Sequence, residues 1–307
     1  MIKSLYSGVS GMKGFQTKLD VIGNNIANVN TVGFKKERVV FQDILSVTLN
    51  GAAAPNGNKG GINPMQVGLG SKIASIDTIH TPGSPMTTNV GTDLAIDGDA
   101  FFVVNGNSGE SYLTKAGNFT LDANGNLVTA NGLFVTGVVE TATTPSTVKD
   151  VKIQITADQV NLGSNNTPKK FTSYSIDSNG YINVVREDDR SGRLAMDSTG
   201  KYYMNESLTA NQHENISLAT MVVPNPAGLA KVGSTLFVET MNSGIANNSR
   251  IEDNAGGQIN AGFLEMSNVD LTEEFTEMII AQRGFQANSR TITTSDSILE
   301  EIVNLKR

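Results

Sequence analysis

Both ends of this 307-residue chain place an apolar residue at every third or fourth position, and the stretch between them follows a different rule. At the N-terminus the stripe runs Ile2, Leu5, Val9, Met12, Leu19 and Ile26, with Gln16 and Gly23 at the remaining positions. Near the C-terminus it runs Leu271, Phe275, Met278, Phe285, Ile292, Leu299 and Val303, with Gln282, Ser289 and Asp296 interleaved. A three-four alternation is the seam of a coiled coil, so each end is expected to be a helix that needs a partner. Asp270, with Glu273 three residues on, reads as a capping box opening the second helix. Residues 1–38 carry six basic and two acidic side chains, and residues 268–307 carry four basic and seven acidic. Opposite charge favours association of the two ends, within a chain or between chains. Stripes this narrow bury too little alone to offset the entropy of ordering a helix, so the ends are expected to order only where they pack against a partner.

The stretch LDVIGNNIANVNTVGFKK (19–36) adds an oddity. Asn24, Asn25, Asn28 and Asn30 crowd the turns that also carry Ile22 and Ile26. Asparagine is a poor helix-interior residue because its short amide competes for the backbone. Two readings stand. Uncharged groups that both donate and accept would fix packing against a neighbouring element without adding a charge to it. Alternatively, the amides end the helix and make a turn.

The middle reads as β. Asn-Gly pairs at 105–106, 124–125, 131–132 and 179–180 separate runs such as AFFVV, LFVTGVV and YINVV. Asn-Gly supplies the positive φ angles of a type I′ hairpin turn. GAAAPNGNKGGINP (51–64) has no periodicity and reads as a flexible connection. Residues 141–213 change character, with TATTPSTV at the start and the charged loop REDDRSGR at 186–193, and read as a small, more variable β insertion. The expected division is 1–70 for the N-terminal helix and linker, 71–140 and 214–262 for a β core, 141–213 for the insertion, and 263–307 for the C-terminal helix. The fold class is α+β, mostly β, with the terminal helices paired as a coiled coil.

Composition removes several functions. The chain has no Cys, which excludes disulfides, thiolate metal sites and Cys nucleophiles. A formal charge of −7 argues against nucleic-acid binding. No apolar run approaches the length of a membrane span, and SLYSGVSGMKGF lacks the continuous apolar core of a secretory signal. GLGSK (68–72) lacks the spacing of a phosphate loop. DANGN (122–126) and DSNG (177–180) lack the later Glu of a calcium loop, so both read as hairpin turns. His80 and His213 lie far apart, and Asp97 and Asp99 flank a turn entering a strand. No catalytic, cofactor or metal site is expected.

The motifs SLYSGVSGM, LDVIGNNIANVNTVGFKK and SNVDLTEEFTEMIIAQRGFQANSRTITTSDSILEEI resemble the two signature ends of the bacterial flagellar rod and hook protein family. MQVGLGSKIASI, DLAIDGDAFFVV, YLTKAGNFTLDANGNLVT and NPAGLAKVGSTLFVETMNSG resemble its β domain. The likeness covers most of the chain except about 141–213. SGVSGM and VIGNNIANVN look more like hook members than distal-rod members, and the insertion points the same way. The resemblance implies a structural subunit of the flexible hook that passes torque to the filament, with a distal-rod subunit as the nearest alternative. It also implies an outer position for the 141–213 insertion, export without a cleaved signal through the flagellar type III apparatus, and helical polymerisation outside the cell. The implied partners are further copies of the chain, a distal rod protein, a hook cap and a hook–filament junction protein. The residues expected to pack subunits are those of both stripes together with Ile22, Asn24, Asn25 and Asn28.

Overall fold

The computed structural model describes residues 2–55, 60–106, 109–140, 148–158, 169–197, 200–206, 215–245, 248–252 and 256–305. The chain forms two compact units. One comprises Met1–Val29, Lys36–Ile79 and Val269–Arg307, and the other Asn30–Lys35 with His80–Asn268.

The first unit holds both long helices, α1 (Ile2–Ala27) and α2 (Leu271–Asn304). They pack against each other in antiparallel fashion, so the expected pairing of the ends occurs within one chain. Asp270 caps α2 by accepting from the Thr272 amide at 2.8 Å, and the backbone amides of Thr272 and Glu273 hold its carboxyl below the usual range. The Glu273 carboxylate is drawn to Lys36 instead, at 2.8 Å. The strand Glu37–Asp43 follows α1 and pairs antiparallel with Ser71–Thr78. Between them the strands Ser46–Asn50 and Met65–Gly68 form a two-stranded ribbon that flanks the expected connection 51–64, and an isolated bridge between Ala53 and Ile62 extends the pairing into it.

The second unit is the β unit. Its largest sheet has the strands Phe101–Asn105, Ser111–Thr114 and Phe134–Glu140 at its centre. A five-stranded antiparallel sheet runs in chain order from Ala157–Asp158 to Tyr202–Asn205. The four Asn-Gly pairs named above lie between paired strands, but the turns differ from the expected type. At 124–125, 131–132 and 179–180 only the Gly has positive φ, at 75°, 78° and 81°. In each, the Gly amide bonds three residues back, to Asp122, Thr129 and Asp177 respectively. This is a type I turn followed by a left-handed Gly, the usual three-residue hairpin loop. At 122–126 the Asp122 carboxylate accepts from the amides of Asn124 and Asn126 and from Asn126 Nδ2, so its oxygens are occupied in shaping the turn.

The described residues of the 141–213 segment are not set apart from the β core. Its Ile153, Ile155, Ile176, Ile182, Val184, Leu194, Met196 and Met204 share one buried cluster with Leu94, Phe102, Phe119, Val135, Ile216 and Leu218. Backbone bonds cross the expected boundaries, among them Leu127 N to Ile153 O, Ile216 N to Leu194 O and Ile259 N to Ser178 O. The physical reason is the strand alternation: Ile182, Val184 and Arg186 face inward while Asn183 and Val185 are only half-buried, so the sheet has one apolar face to cover.

Where the chain enters and leaves the β unit, a buried charged cluster forms. Lys35 and Glu265 make a fully enclosed ion pair at 2.6 Å. Lys35 also donates to Thr81 O at 2.8 Å, and Gly83 N donates to the same carboxylate oxygen at 3.0 Å. Nearby, the ring of His80 lies edge-on to Phe101 and tilted against Phe237, with both nitrogens buried and lacking a partner of good geometry. Burial, and then Lys35, Lys115 and Lys231, push its pKa down to about 4. Burial also lowers the Lys115 ammonium to about 8, although it donates to Gly98 O at 2.6 Å.

Both shifts favour the neutral form in the fold. The contribution tied to His80 is full above its ordinary pKa of about 6.5 and is lost as pH falls toward 4. That tied to Lys115 grows as pH rises from 8 toward its ordinary value. Melting of the β unit should therefore weaken between pH 6.5 and 4, by on the order of 1–2 kcal/mol once partial solvent screening is allowed for. His80→Phe should flatten this limb in a pH series of thermal melts. An unchanged acid limb in that variant would remove His80 as its source.

Candidate assembly interface

The structure shifts each helical seam by one residue from the expected stripe. In α1 the positions facing α2 are Gly8, Gly11, Phe15, Lys18, Ile22 and Asn25, and in α2 they are Glu274, Ala281, Gly284, Asn288 and Thr291 with Ile292. The cause is that side chains of one helix seat on glycines of the other. A Cβ on Gly284 would sit 2.6 Å from the Phe15 ring, and one on Gly11 would sit 2.8 Å from Asn288 Nδ2. The Phe15 ring fills the notch that Gly284 leaves and also packs on Phe41, with centroids 5.9 Å apart. Small residues and amides therefore make the seam where bulk was expected.

The charge asymmetry of the ends resolves into specific pairs. Lys18 meets Glu277 at 2.5 Å, and Lys36 meets Glu273. Asn25, only 1% exposed, is the centre of this region. Its Nδ2 donates to Glu37 O at 2.9 Å and to Glu274 Oε2 at 3.1 Å, while its Oδ1 accepts from Glu37 N at 3.0 Å. One side chain thus joins α1, the first strand and α2. Asn28 instead turns back to Asn24, donating to its carbonyl at 2.9 Å and its Oδ1 at 3.0 Å, which closes the helix end. The amide cluster divides accordingly: Asn25 fixes packing inside one chain, and Asn24 with Asn28 shape the turn.

The remaining candidate packing residues separate into two groups. Ile22 is buried, and Leu5, Met12, Leu19, Ile26, Met278, Ile292 and Leu299 are partly buried. Val9, Leu271, Phe275, Phe285 and Val303 are exposed, and the side chain of Ile2 lies outside the described residues. They are joined on the open faces by Ile279, Ile280, Ile298, Ile302 and Leu305, which the sequence stripes did not single out. The ribbon adds Val47, Leu49, Met65 and Val67, all exposed, on strands with no buried residue. An isolated two-stranded ribbon is marginal in water, and an apolar surface of this extent marks an interaction site. Among the described residues no cluster of metal-ligating side chains occurs, and no helix is long and apolar enough to cross a membrane.

Paired terminal helices with an uncovered apolar flank, joined to a β unit, define a structural protein of the kind that packs side by side with others. Family comparison gives the same class. Residues 5–35 match the family described as flagella basal body rod protein, 95–184 the flagellar hook protein FlgE/F/G D1 domain, and 260–305 the flagellar basal body rod FlgEFG protein C-terminal. The chain is 46% identical to flagellar basal-body rod protein FlgG of Bacillus subtilis (strain 168) over 308 residues, covering all of both. It is 33% identical to flagellar hook protein FlgE of Borreliella burgdorferi over 445 residues and 34% identical to FlgG of that organism over 311, again covering all of each. The chain belongs to the flagellar rod and hook axial protein family.

Proposed function

We propose that this chain is a subunit of the tubular flagellar axis, with its terminal helices packed against those of neighbouring copies, and that it builds a rod-type segment. The observation that carries the rod reading is length. The chain aligns end to end with rod relatives over 308 and 311 positions, whereas the hook relative needs 445 and so holds a long segment with no counterpart here. Because similar-length rod relatives accommodate residues 141–213, that segment does not argue for a hook. The hook remains the second reading, supported by an identity to the Borreliella burgdorferi hook protein that nearly equals the identity to its rod protein. Neighbouring axial proteins would be the partners, reached through the flagellar export route. Labelling of the chain in intact flagella separates the readings: a straight segment within the cell envelope supports the rod, and a curved segment outside it supports the hook.

The assembly itself has a direct test. A fragment of residues 30–268 keeps the whole β unit, including Lys35 and Glu265, and lacks both helices. It should sediment as a β-rich monomer under conditions in which the full chain forms tubes. The helices of full-length protein should also melt at a higher temperature once assembled, since neighbours would cover the open flanks of α1 and α2. Tubes formed by the 30–268 fragment would overturn the role given to the helices.

A further inference from the structure

Two features of the β unit take no part in the pairing of the helices. The first is the loop after the strand Leu236–Val238. Met241 is 107% exposed and Ile245 is 90% exposed, yet their loop is firmly built. Ser243 at its centre is wholly buried. Its Oγ donates to Thr240 O at 2.8 Å and accepts from Thr240 N at 3.1 Å. Thr240 Oγ1 donates to Gly228 O at 2.6 Å, and Asn225 Nδ2 donates to Asn242 O at 2.9 Å. A loop already held this way loses little entropy when a partner covers it, and large side chains on a rigid base make efficient anchors.

The second feature is an open cleft of about 350 Å³. Val32, Ala116 and Leu236 contribute its apolar surface, and Asn118, Asn131 and Thr235 its hydrogen-bonding groups. None of its lining residues is charged. Thr235 has a φ of +59°, a conformation that β-branched residues rarely take, and Thr114 Oγ1 secures it by donating to Thr235 O at 3.1 Å. The size sits at the low end for ligand pockets and suits a pair of side chains.

Topology relates the two. The strand begins at the cleft, where Leu236 lines the wall, and leads past its far end to Met241. Knob and cleft therefore lie at opposite ends of one strand and do not meet within a molecule. Two different patches that complement each other on separate copies form a heterologous contact, which repeats without closing in a helical polymer. Their chemistry also matches: residues 240–245 carry no charge in a chain that is 17% charged, and the lining of the cleft carries none. We propose that the cleft beside Leu236 receives Met241 and Ile245 from a second copy of this chain, as a head-to-tail contact between β units of the axis.

The proposal rests on the assembly reading above, and the absence of Cys from the chain makes it directly testable. Chains carrying Met241→Cys are co-assembled with chains carrying Asn131→Cys and oxidised. A cross-linked dimer containing one chain of each kind is expected, absent when either variant is assembled alone, and the double variant should give a ladder. Tubes that form from these chains without any mixed dimer would overturn the contact while leaving the assembly reading intact. Failure of the parent chain to form tubes would overturn both. Independently, Met241→Asp should raise the concentration needed for assembly at least tenfold with no change in the melting of the β unit. Unaltered assembly by Met241→Asp would also overturn the contact.

Discussion

Asn25→Asp should destabilise the helix-bearing unit by about 3–4 kcal/mol at neutral pH, far more than an Asn-to-Asp change on a surface. Asp is nearly isosteric, so packing volume is not the cause. The variant keeps the acceptor that meets Glu37 N but loses the amide that donates to Glu37 O and to Glu274 Oε2. It then holds a carboxylate against a carbonyl and a second carboxylate, in a site where Asn25 is 1% exposed and Glu274 6% exposed. Two carboxylates sharing a buried site cannot both ionise without cost, so the folded variant should retain a proton there. A raised folded pKa means that the deficit is smallest in acid and grows as pH rises through the unfolded carboxylate value of about 4 and beyond. Asn25→Ala separates the two contributions. It strands the Glu37 backbone groups without adding charge, so its deficit should be about 2 kcal/mol and nearly independent of pH. Helical circular dichroism during thermal melting, taken from pH 4 to 8, reads both. An Asp variant as stable as the parent at pH 7 would mean that Asn25 does not hold the three elements together.

This network shows what the sequence exposes and what it hides. Periodicity located both helices, and Asn-Gly pairs located the hairpins, because each reports local geometry. The seam moved by one residue because sequence patterns reward bulk, while the observed seam seats side chains of one helix on the glycines of the other, at Gly8, Gly11 and Gly284. Phe275 and Val303 looked like seam residues because nothing in a pattern says whether an apolar side chain faces its own chain or another. Lys35 and Lys36 are neighbours of one type in GFKK, yet Lys35 is enclosed with Glu265 while Lys36 reaches Glu273 near the surface. Only tertiary placement separates them. The knob at Met241 and the cleft at Leu236 were equally silent, since an uncharged loop and an uncharged wall have no periodic signature.

The second large effect concerns residues 141–213. Their removal, with 140 and 214 joined by a short linker, should abolish cooperative unfolding of the β unit. The segment supplies eight buried apolar side chains to the main cluster, Ile153 through Met204. Each is worth roughly 1.5–3 kcal/mol of burial, so their combined loss of about 12–24 kcal/mol matches or exceeds the ~5–15 kcal/mol by which a domain is usually stable. The remaining partners fare badly as well. Val135, Ile216 and Leu218 would face water, and the backbone groups of Leu127, Ile216 and Ile259 would lose the partners they have at Ile153, Leu194 and Ser178. A separate outer domain would behave in the opposite way, leaving at little cost because few contacts cross its boundary. The D1 family model matches residues 95–184, a span that includes position 141. Ile182→Ala provides the graded version, with an expected loss of about 2–5 kcal/mol in a unit that still folds. A cooperative melt in the deletion variant, at a midpoint near that of the parent, would show that the segment is an appendage whose apolar face contributes nothing to the core.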